Sequence, residues 1–235
     1  MNAALPRLRG RLDEIRERIS QAAKRSGRAL GDVVLVGVTK SVPVDVVRVV
    51  VEAGLGDLGE NRVQEAEEKI QGVGHAAARW HLVGHLQRNK AGRAATLFDR
   101  IHSVDRIELA EALSKRGAAE GRTLRVLVQV HVSGEASKHG VAPGELERLL
   151  ERVRELPGLC VDGLMSIGPP VERAEDARPY FVRTRELRDA AERRLGLELP
   201  HVSMGMSADY EVAIEEGSTL VRVGTALFGP RDRKD

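Results

Sequence analysis

A chain of 235 residues, 42% of them hydrophobic, is long enough to bury a sizeable core and suits one large barrel or two small domains. Its 37 basic and 35 acidic residues leave a formal net charge of +2, which argues against a nucleic-acid or membrane partner recognised by bulk charge. The single cysteine, Cys160, excludes an intramolecular disulfide and fits a reducing compartment. No apolar run approaches the ~18 residues of a spanning helix, and Met1-Asn2-Ala3-Ala4-Leu5-Pro6-Arg7 lacks the continuous apolar region of a signal peptide, so the expectation is a cytoplasmic protein.

Residues 5–25 place Leu8, Leu12, Ile15, Ile19 and Ala22 at three- and four-residue steps among Arg and Glu, the pattern of an amphipathic helix, and Gly27 closes it. Residues 33–40 form an apolar, β-branched run bounded by Gly31-Asp32 and Pro43, which predicts a strand buried on both faces and ending in Lys40. A helix is expected over 43–53, closed by Gly54, and a short second strand with its exit loop over Gly56-Asp57-Leu58-Gly59-Glu60-Asn61. The alternation continues with helix 62–71, strand 79–83, helix 87–97, strand 100–104, helix 106–119 and the longest expected strand, 124–132. A loop through Gly134 and Gly140 then leads to helix 143–156, strand 161–167, helix 174–195, strand 201–204, helix 208–216 and strand 219–223. Cys160, beside the sixth strand, is expected to be a small core residue.

Eight strands, each separated from the next by a helix, predict an α/β fold of the (β/α)8 TIM barrel type, a single domain over residues 1–235. Past Phe228-Gly229-Pro230 only residues 231–235 remain, too few for a covering helix, so the N-terminal helix, 5–27, is expected to cover the seam between strands eight and one. No Gly-x-Gly-x-x-Gly turn follows any strand, which argues against a doubly wound open sheet, and no linker or low-complexity stretch divides the chain.

In such a barrel ligands sit at the carboxyl ends of the strands, which makes Lys40 a candidate reactive amine; burial beside a second cation would depress its pKa and make it nucleophilic. The loops after strands seven and eight commonly cradle phosphate, and here they read Ser203-Met204-Gly205-Met206-Ser207 and Gly224-Thr225, small residues that let backbone N–H groups approach an anion. Ser207 is expected at a helix N-terminus. Arg222 stands in Leu220-Val221-Arg222-Val223-Gly224, a strand otherwise built for burial, where a guanidinium needs acceptors facing it. Lys138 in Ser137-Lys138-His139-Gly140 is read as a solvated loop lysine. His81 and His85 straddle a strand-to-loop transition with no carboxylate or cysteine to complete a set, so no metal is expected.

Lys40, Leu58-Gly59-Glu60-Asn61, His81-Leu82-Val83-Gly84-His85-Leu86-Gln87-Arg88-Asn89-Lys90, Gly163-Leu164-Met165-Ser166-Ile167, Ser203-Met204-Gly205-Met206-Ser207-Ala208-Asp209 and Val221-Arg222-Val223-Gly224-Thr225-Ala226-Leu227-Phe228-Gly229 resemble, in order and over nearly the whole chain, the YggS/PROSC family of pyridoxal phosphate homeostasis proteins. The resemblance implies a barrel similar to the N-terminal domain of alanine racemase, fold type III of the pyridoxal phosphate proteins. It further implies that Lys40 forms the internal aldimine, that Ser207, Gly224 and Thr225 hold the phosphate, that Arg222 faces the pyridine nitrogen and that Asn61 lies near the ring.

Pyridoxal phosphate is a strong electron sink when a carboxylate keeps its ring nitrogen protonated, whereas an arginine there leaves the nitrogen neutral. The expectation is therefore a binding and delivery protein for pyridoxal 5'-phosphate in vitamin B6 homeostasis, without robust catalysis. Its partners would be the cofactor and the apoenzymes that receive it, and as no exposed apolar stripe compels a dimer, it is expected to be a monomer. The rivals are a racemase of reduced design, which would need a second proton-transfer group, and a phosphosugar-binding barrel without covalent chemistry. Tyr180 and Tyr210, the only tyrosines, are both expected on helices in core or surface roles.

Overall fold

The computed structural model of the protein describes residues 4–133 and 139–230. Among the described residues, strands β1 (Val34–Val38), β2 (Asp57–Glu60), β3 (Arg79–Leu82), β4 (Arg100–Val104), β5 (Leu124–Gln129), β6 (Leu159–Met165), β7 (His201–Met206) and β8 (Leu220–Val223) form a closed barrel in sequence order. Every pairing is parallel, and β8 returns onto β1 in the register Val34↔Leu220 to Gly37↔Val223. The crossovers carry helices α2 (Val44–Glu52), α3 (Val63–Val73), α4 (Ala91–Leu97), α5 (Ile107–Ala119), α6 (Leu146–Arg154), α7 (Arg178–Leu195) and α8 (Tyr210–Glu215), after an N-terminal α1 (Ala4–Arg25).

The main core lies between the strands and this helical ring, as a two-sided parallel sheet demands. On β8, Val221 and Val223 point into it while Leu220 points into the barrel, where it meets Val36, Leu127 and Met165. That interior cluster is small, and much of the remaining interior is polar: His81, His102, Ser203 and Arg222 are each at most 4% exposed. The α1 stripe of Leu8, Leu12, Ile15, Ile19 and Ala22 is buried, and α1 packs on α2 and α8, the helices beside β1 and β8.

Several boundaries differ from expectation for identifiable reasons. β5 stops at Gln129 rather than 132: the Val130 N–H still reaches the Met165 carbonyl of β6, but the N–H of His131 turns to the Val141 carbonyl, and Val132, half-buried, packs against the main core outside the ladder. The longest strand is therefore β6, which begins at Leu159, and Cys160 within it is half-buried rather than a core residue. β7 extends two residues beyond the predicted end because Met206 pairs with Arg222 across an irregular register, so α8 starts later, at Tyr210. A one-turn helix, α9 (Thr225–Phe228), follows β8 where no helix was expected, and it too packs on α1.

Candidate functional site

Lys40 lies two residues past β1, at the rim of the barrel and not inside it. Thr39 closes the strand by donating its N–H to the carbonyl of Gly59, and Val42 closes a turn by donating to the carbonyl of Thr39 at 2.9 Å. Ser41, third in that turn, has φ 57°, the left-handed conformation that side chains rarely adopt and that type II turns require at this place. The expected burial of Lys40 is not met: its side chain is exposed, because the turn swings it out over the end of the strand.

The strain at Ser41 is held by a buried ionic cluster. The Lys69 ammonium, on α3, donates to the Thr39 carbonyl at 2.5 Å and to the carboxylates of Glu60 and Glu65 at 2.7 Å each, using all three of its protons. Glu65 in turn accepts the N–H of Ser41, and Glu60 accepts the hydroxyl of Thr39. Glu60 is fully buried; burial pushes its pKa up, and the opposing pull of Lys69 and Thr39 does not cancel that. Lys69 and Glu60 escaped the sequence reading because on a helix face and at a strand exit each looks like an ordinary surface charge.

A cleft of about 320 Å³ opens at the carboxyl ends of the strands, lined by Val38, Lys40, Asn61, Val83, Ile167, Met206, Ser207, Ala208, Arg222, Gly224 and Thr225. All six residues singled out in the sequence, Lys40, Asn61, Ser207, Arg222, Gly224 and Thr225, therefore share one cavity, of a size typical of small-molecule sites at ~300–1,000 Å³. Asn61 also borders a neighbouring cavity of about 570 Å³ that reaches His85 and Lys90 but includes neither Lys40 nor Arg222. The β3 exit loop presses on the Asn61 backbone so closely that a Cβ on Gly84 would fall 2.3 Å from the Asn61 carbonyl oxygen.

Ser207 does not start a helix as expected; Asp209 occupies the N-cap position of α8. Its hydroxyl instead faces the β8 loop, where the backbone N–H groups of Gly224 and Ala226 both point at Oγ from 3.2 Å. Two backbone donors and a hydroxyl thus converge from adjacent loops, and the contacts are long enough for an oxyanion to compete for the same donors. Gly205 lets the β7 loop fold down here: its φ is +89°, and a Cβ would sit 2.5 Å from that of Ala213 and 3.0 Å from the Tyr210 backbone.

Arg222 is 4% exposed and donates Nη1–H to Ser203 Oγ at 2.6 Å and Nη2–H to the Ser166 carbonyl at 2.9 Å. A guanidinium carries five N–H donors, so three remain for an acceptor in the cleft it lines. Burial draws its pKa down to about 10, which leaves it a cation at neutral pH. Ser166 and Ser203 lie inside the quoted motifs but were not recognised as the acceptors Arg222 needs; only side-chain alternation on β7 and β8 could have hinted at Ser203. The large apolar side chains left exposed among the described residues, Ile167 (38%) and Met206 (41%), both belong to this cleft.

The remaining candidates fall elsewhere. His81 is buried inside the barrel against Asp57 and His102, away from His85. His85 stacks on His139, with Asp105 beside it, so a carboxylate absent from the sequence reading does lie near; one Asp105 oxygen is already bound to Arg106. Lys138 lies outside the described residues. Tyr180 and Tyr210 are on α7 and α8 as expected, Tyr210 with its ring buried.

Residues 11–232 match the alanine racemase N-terminal domain family. The chain is 46% identical over 221 residues to the pyridoxal phosphate homeostasis protein of Aquifex aeolicus, covering 94% of this chain and 97% of that one. It is 44% identical over 219 residues to the protein of the same name from Pseudomonas aeruginosa, covering 93% and 94%. Among solved structures, PipY of Synechococcus elongatus PCC7942, determined with PLP bound, superposes with a TM-score of 0.84 at 34% identity, over 94% of this chain and all of its own.

Proposed function

The chain belongs to the pyridoxal phosphate homeostasis protein family, built on the alanine racemase N-terminal barrel, and from that premise we propose that it binds pyridoxal 5'-phosphate through Lys40 and holds it for supply to other proteins. The cofactor, when bound, supplies an aldehyde that condenses with a primary amine and releases water. The observation that carries this reading is the convergence of an amine, a buried guanidinium with spare donors and two anion-directed loops on one cleft.

Each residue has a part in the binding. Lys40 offers the amine from a turn whose backbone is fixed by Lys69 and Glu65. Ser207 Oγ, Gly224 N–H and Thr225 take the phosphate, with Ala226 N–H beside them. Ile167 and Met206 offer apolar surface for a flat ring, whose cover would remove the largest exposed apolar side chains from water. Asn61, which lines the same cleft, would border the ring. Arg222, a cation at neutral pH, would donate to the ring nitrogen, which would then stay unprotonated and leave the ring a weak electron sink. Holding without turnover is the consequence.

Incubation with pyridoxal 5'-phosphate, borohydride reduction and peptide mass spectrometry test this. Expected is one reduced adduct, on Lys40; failure to take up the cofactor, or labelling elsewhere only, overturns the proposal. Exchange of amino-acid α-protons in deuterated water at the ~10 s⁻¹ of an ordinary enzyme would replace holding with racemase chemistry.

A further inference from the structure

We propose that Ser203, His102 and His81 form a one-way hydrogen-bond relay, anchored on Asp57, that fixes the Arg222 guanidinium from behind; they are positioning residues for the cofactor cleft. The relay crosses the barrel interior from β2 to β8. Arg222 Nη1 lies 2.6 Å from Ser203 Oγ, Ser203 Oγ 2.9 Å from His102 Nδ1, His102 Nε2 2.9 Å from His81 Nδ1, and His81 Nε2 3.0 Å from Asp57 Oδ1. Asp57 and His81 border another cavity, at the amino ends of the strands, about 540 Å³ and lined also by Arg79, Arg100, Arg125 and His201. The chain of contacts therefore joins the two mouths of the barrel.

The ends dictate the direction. Arginine only donates, so Ser203 Oγ accepts from Arg222, and the remaining hydroxyl proton must go to His102 Nδ1, the other partner within reach. That makes His102 the Nε2–H tautomer, which donates to His81 Nδ1; His81 is then also Nε2–H and donates to the Asp57 carboxylate. Every donor meets an acceptor with both imidazoles neutral. The opposite direction requires His81 to carry a second proton and leaves the Ser203 hydroxyl proton without a described acceptor in a site that is 0% exposed.

Burial agrees with this arrangement. It is the largest influence on His102 and, with the Arg222 cation, holds its pKa well below the usual value, so the ring is neutral. At Asp57 burial pushes upward, but hydrogen bonds from His81 and Arg79 outweigh it and set the carboxyl at about 2. The relay is a row of aligned dipoles between a cation and an anion, in which each bond strengthens the next. Two of Arg222's donors are thereby committed, to Ser203 and to the Ser166 carbonyl, which sets the direction in which the others face the cleft.

The role of the relay toward a ligand rests on the cofactor reading of the cleft, whereas the relay itself does not, and the experiment separates them. In ¹⁵N-labelled protein without added ligand, long-range ¹H–¹⁵N correlation at pH 7 is expected to give an unprotonated Nδ1 and protonated Nε2 for both His81 and His102, with the His102 signals moved in Ser203→Ala. A protonated Nδ1 on either ring overturns the relay. In protein loaded with pyridoxal 5'-phosphate, Ser203→Ala is expected to shift the absorption maximum of the bound ring and to weaken its retention roughly tenfold, the effect of one charge-assisted hydrogen bond. An unshifted spectrum with unchanged retention overturns the positioning role. Native protein that shows the tautomers but takes up no cofactor refutes the proposed function and leaves the relay standing.

Discussion

The Lys69 ammonium donates to the carbonyl oxygen of Thr39 at 2.5 Å, behind the turn that presents Lys40. Through Glu60 and Glu65 the same ammonium holds both flanks of that turn, so the position of the exposed lysine depends on a buried one. Lys69→Met leaves Glu60 fully buried without its cation, and removing one partner of such a pair costs about 3–5 kcal/mol. Urea unfolding is expected to show a loss of that size, and the yield of borohydride-fixed adduct on Lys40 to fall in whatever protein remains folded. A loss below about 1 kcal/mol, the value of a surface pair, would mean that Glu60 finds another donor.

Lys40→Ala has the opposite profile. An exposed side chain outside the core changes stability by no more than about 0.5 kcal/mol when removed. The variant is expected to unfold with the wild type and to lose the reducible adduct. It should still bind pyridoxine 5'-phosphate, which has the ring and phosphate but no aldehyde. Calorimetric titration with that compound checks the phosphate loops independently of the amine; loss of its binding in Lys40→Ala would place the lysine in phosphate recognition instead.

The eight-strand order was legible because short strand segments, an apolar run in β1 and alternating residues in β3 and β4, are separated by segments with a 3.6-residue stripe such as α1 and α6, two periods that do not imitate one another. The cleft residues were legible for a related reason: Lys40, Arg222 and the glycines of the last two loops break those patterns at strand ends. What could not be read is what lies between them. Lys69 and His102 each satisfy their local pattern, one as a helix charge, one as an alternating strand residue, and acquire a role only when partners 9 to 101 residues away in sequence close around them. The exposure of Lys40 was missed because it depends on a single positive φ at Ser41, a residue whose composition gives no sign of it.

Asp57 gives the fold a defined acid limb. Its carboxyl titrates at about 2 in the folded protein against 3.8 ordinarily, so the unfolded chain binds its proton first as the pH falls. The stabilisation is fully present above about pH 5 and is lost progressively as the pH drops through 4 towards 2. The difference in unfolding free energy between wild type and Asp57→Asn is therefore expected to be constant from pH 7 to 5 and to shrink below pH 4. His102, buried neutral, destabilises the fold below its ordinary pKa of 6.5, but it does so in both proteins and leaves the difference to report on Asp57. A difference that stays constant down to pH 2 would mean that the carboxyl is not held by His81 and Arg79.

Gly205→Ala combines two penalties at the loop that carries Ser207. A φ of +89° is costly for any residue with a Cβ, and the new methyl would lie 2.5 Å from the Ala213 Cβ and 3.0 Å from the Tyr210 backbone, neither of which is the free end of a flexible side chain. Together they are expected to destabilise the protein by about 2–5 kcal/mol. Relief requires the chain at 205–207 to lift away from α8, which draws Ser207 Oγ off the N–H groups of Gly224 and Ala226. Affinity for pyridoxine 5'-phosphate should then fall, while pyridoxine, which lacks the phosphate, is affected less. If instead both compounds weaken equally, the loop shapes the whole cleft, and the anion contact assigned to Ser207 is wrong.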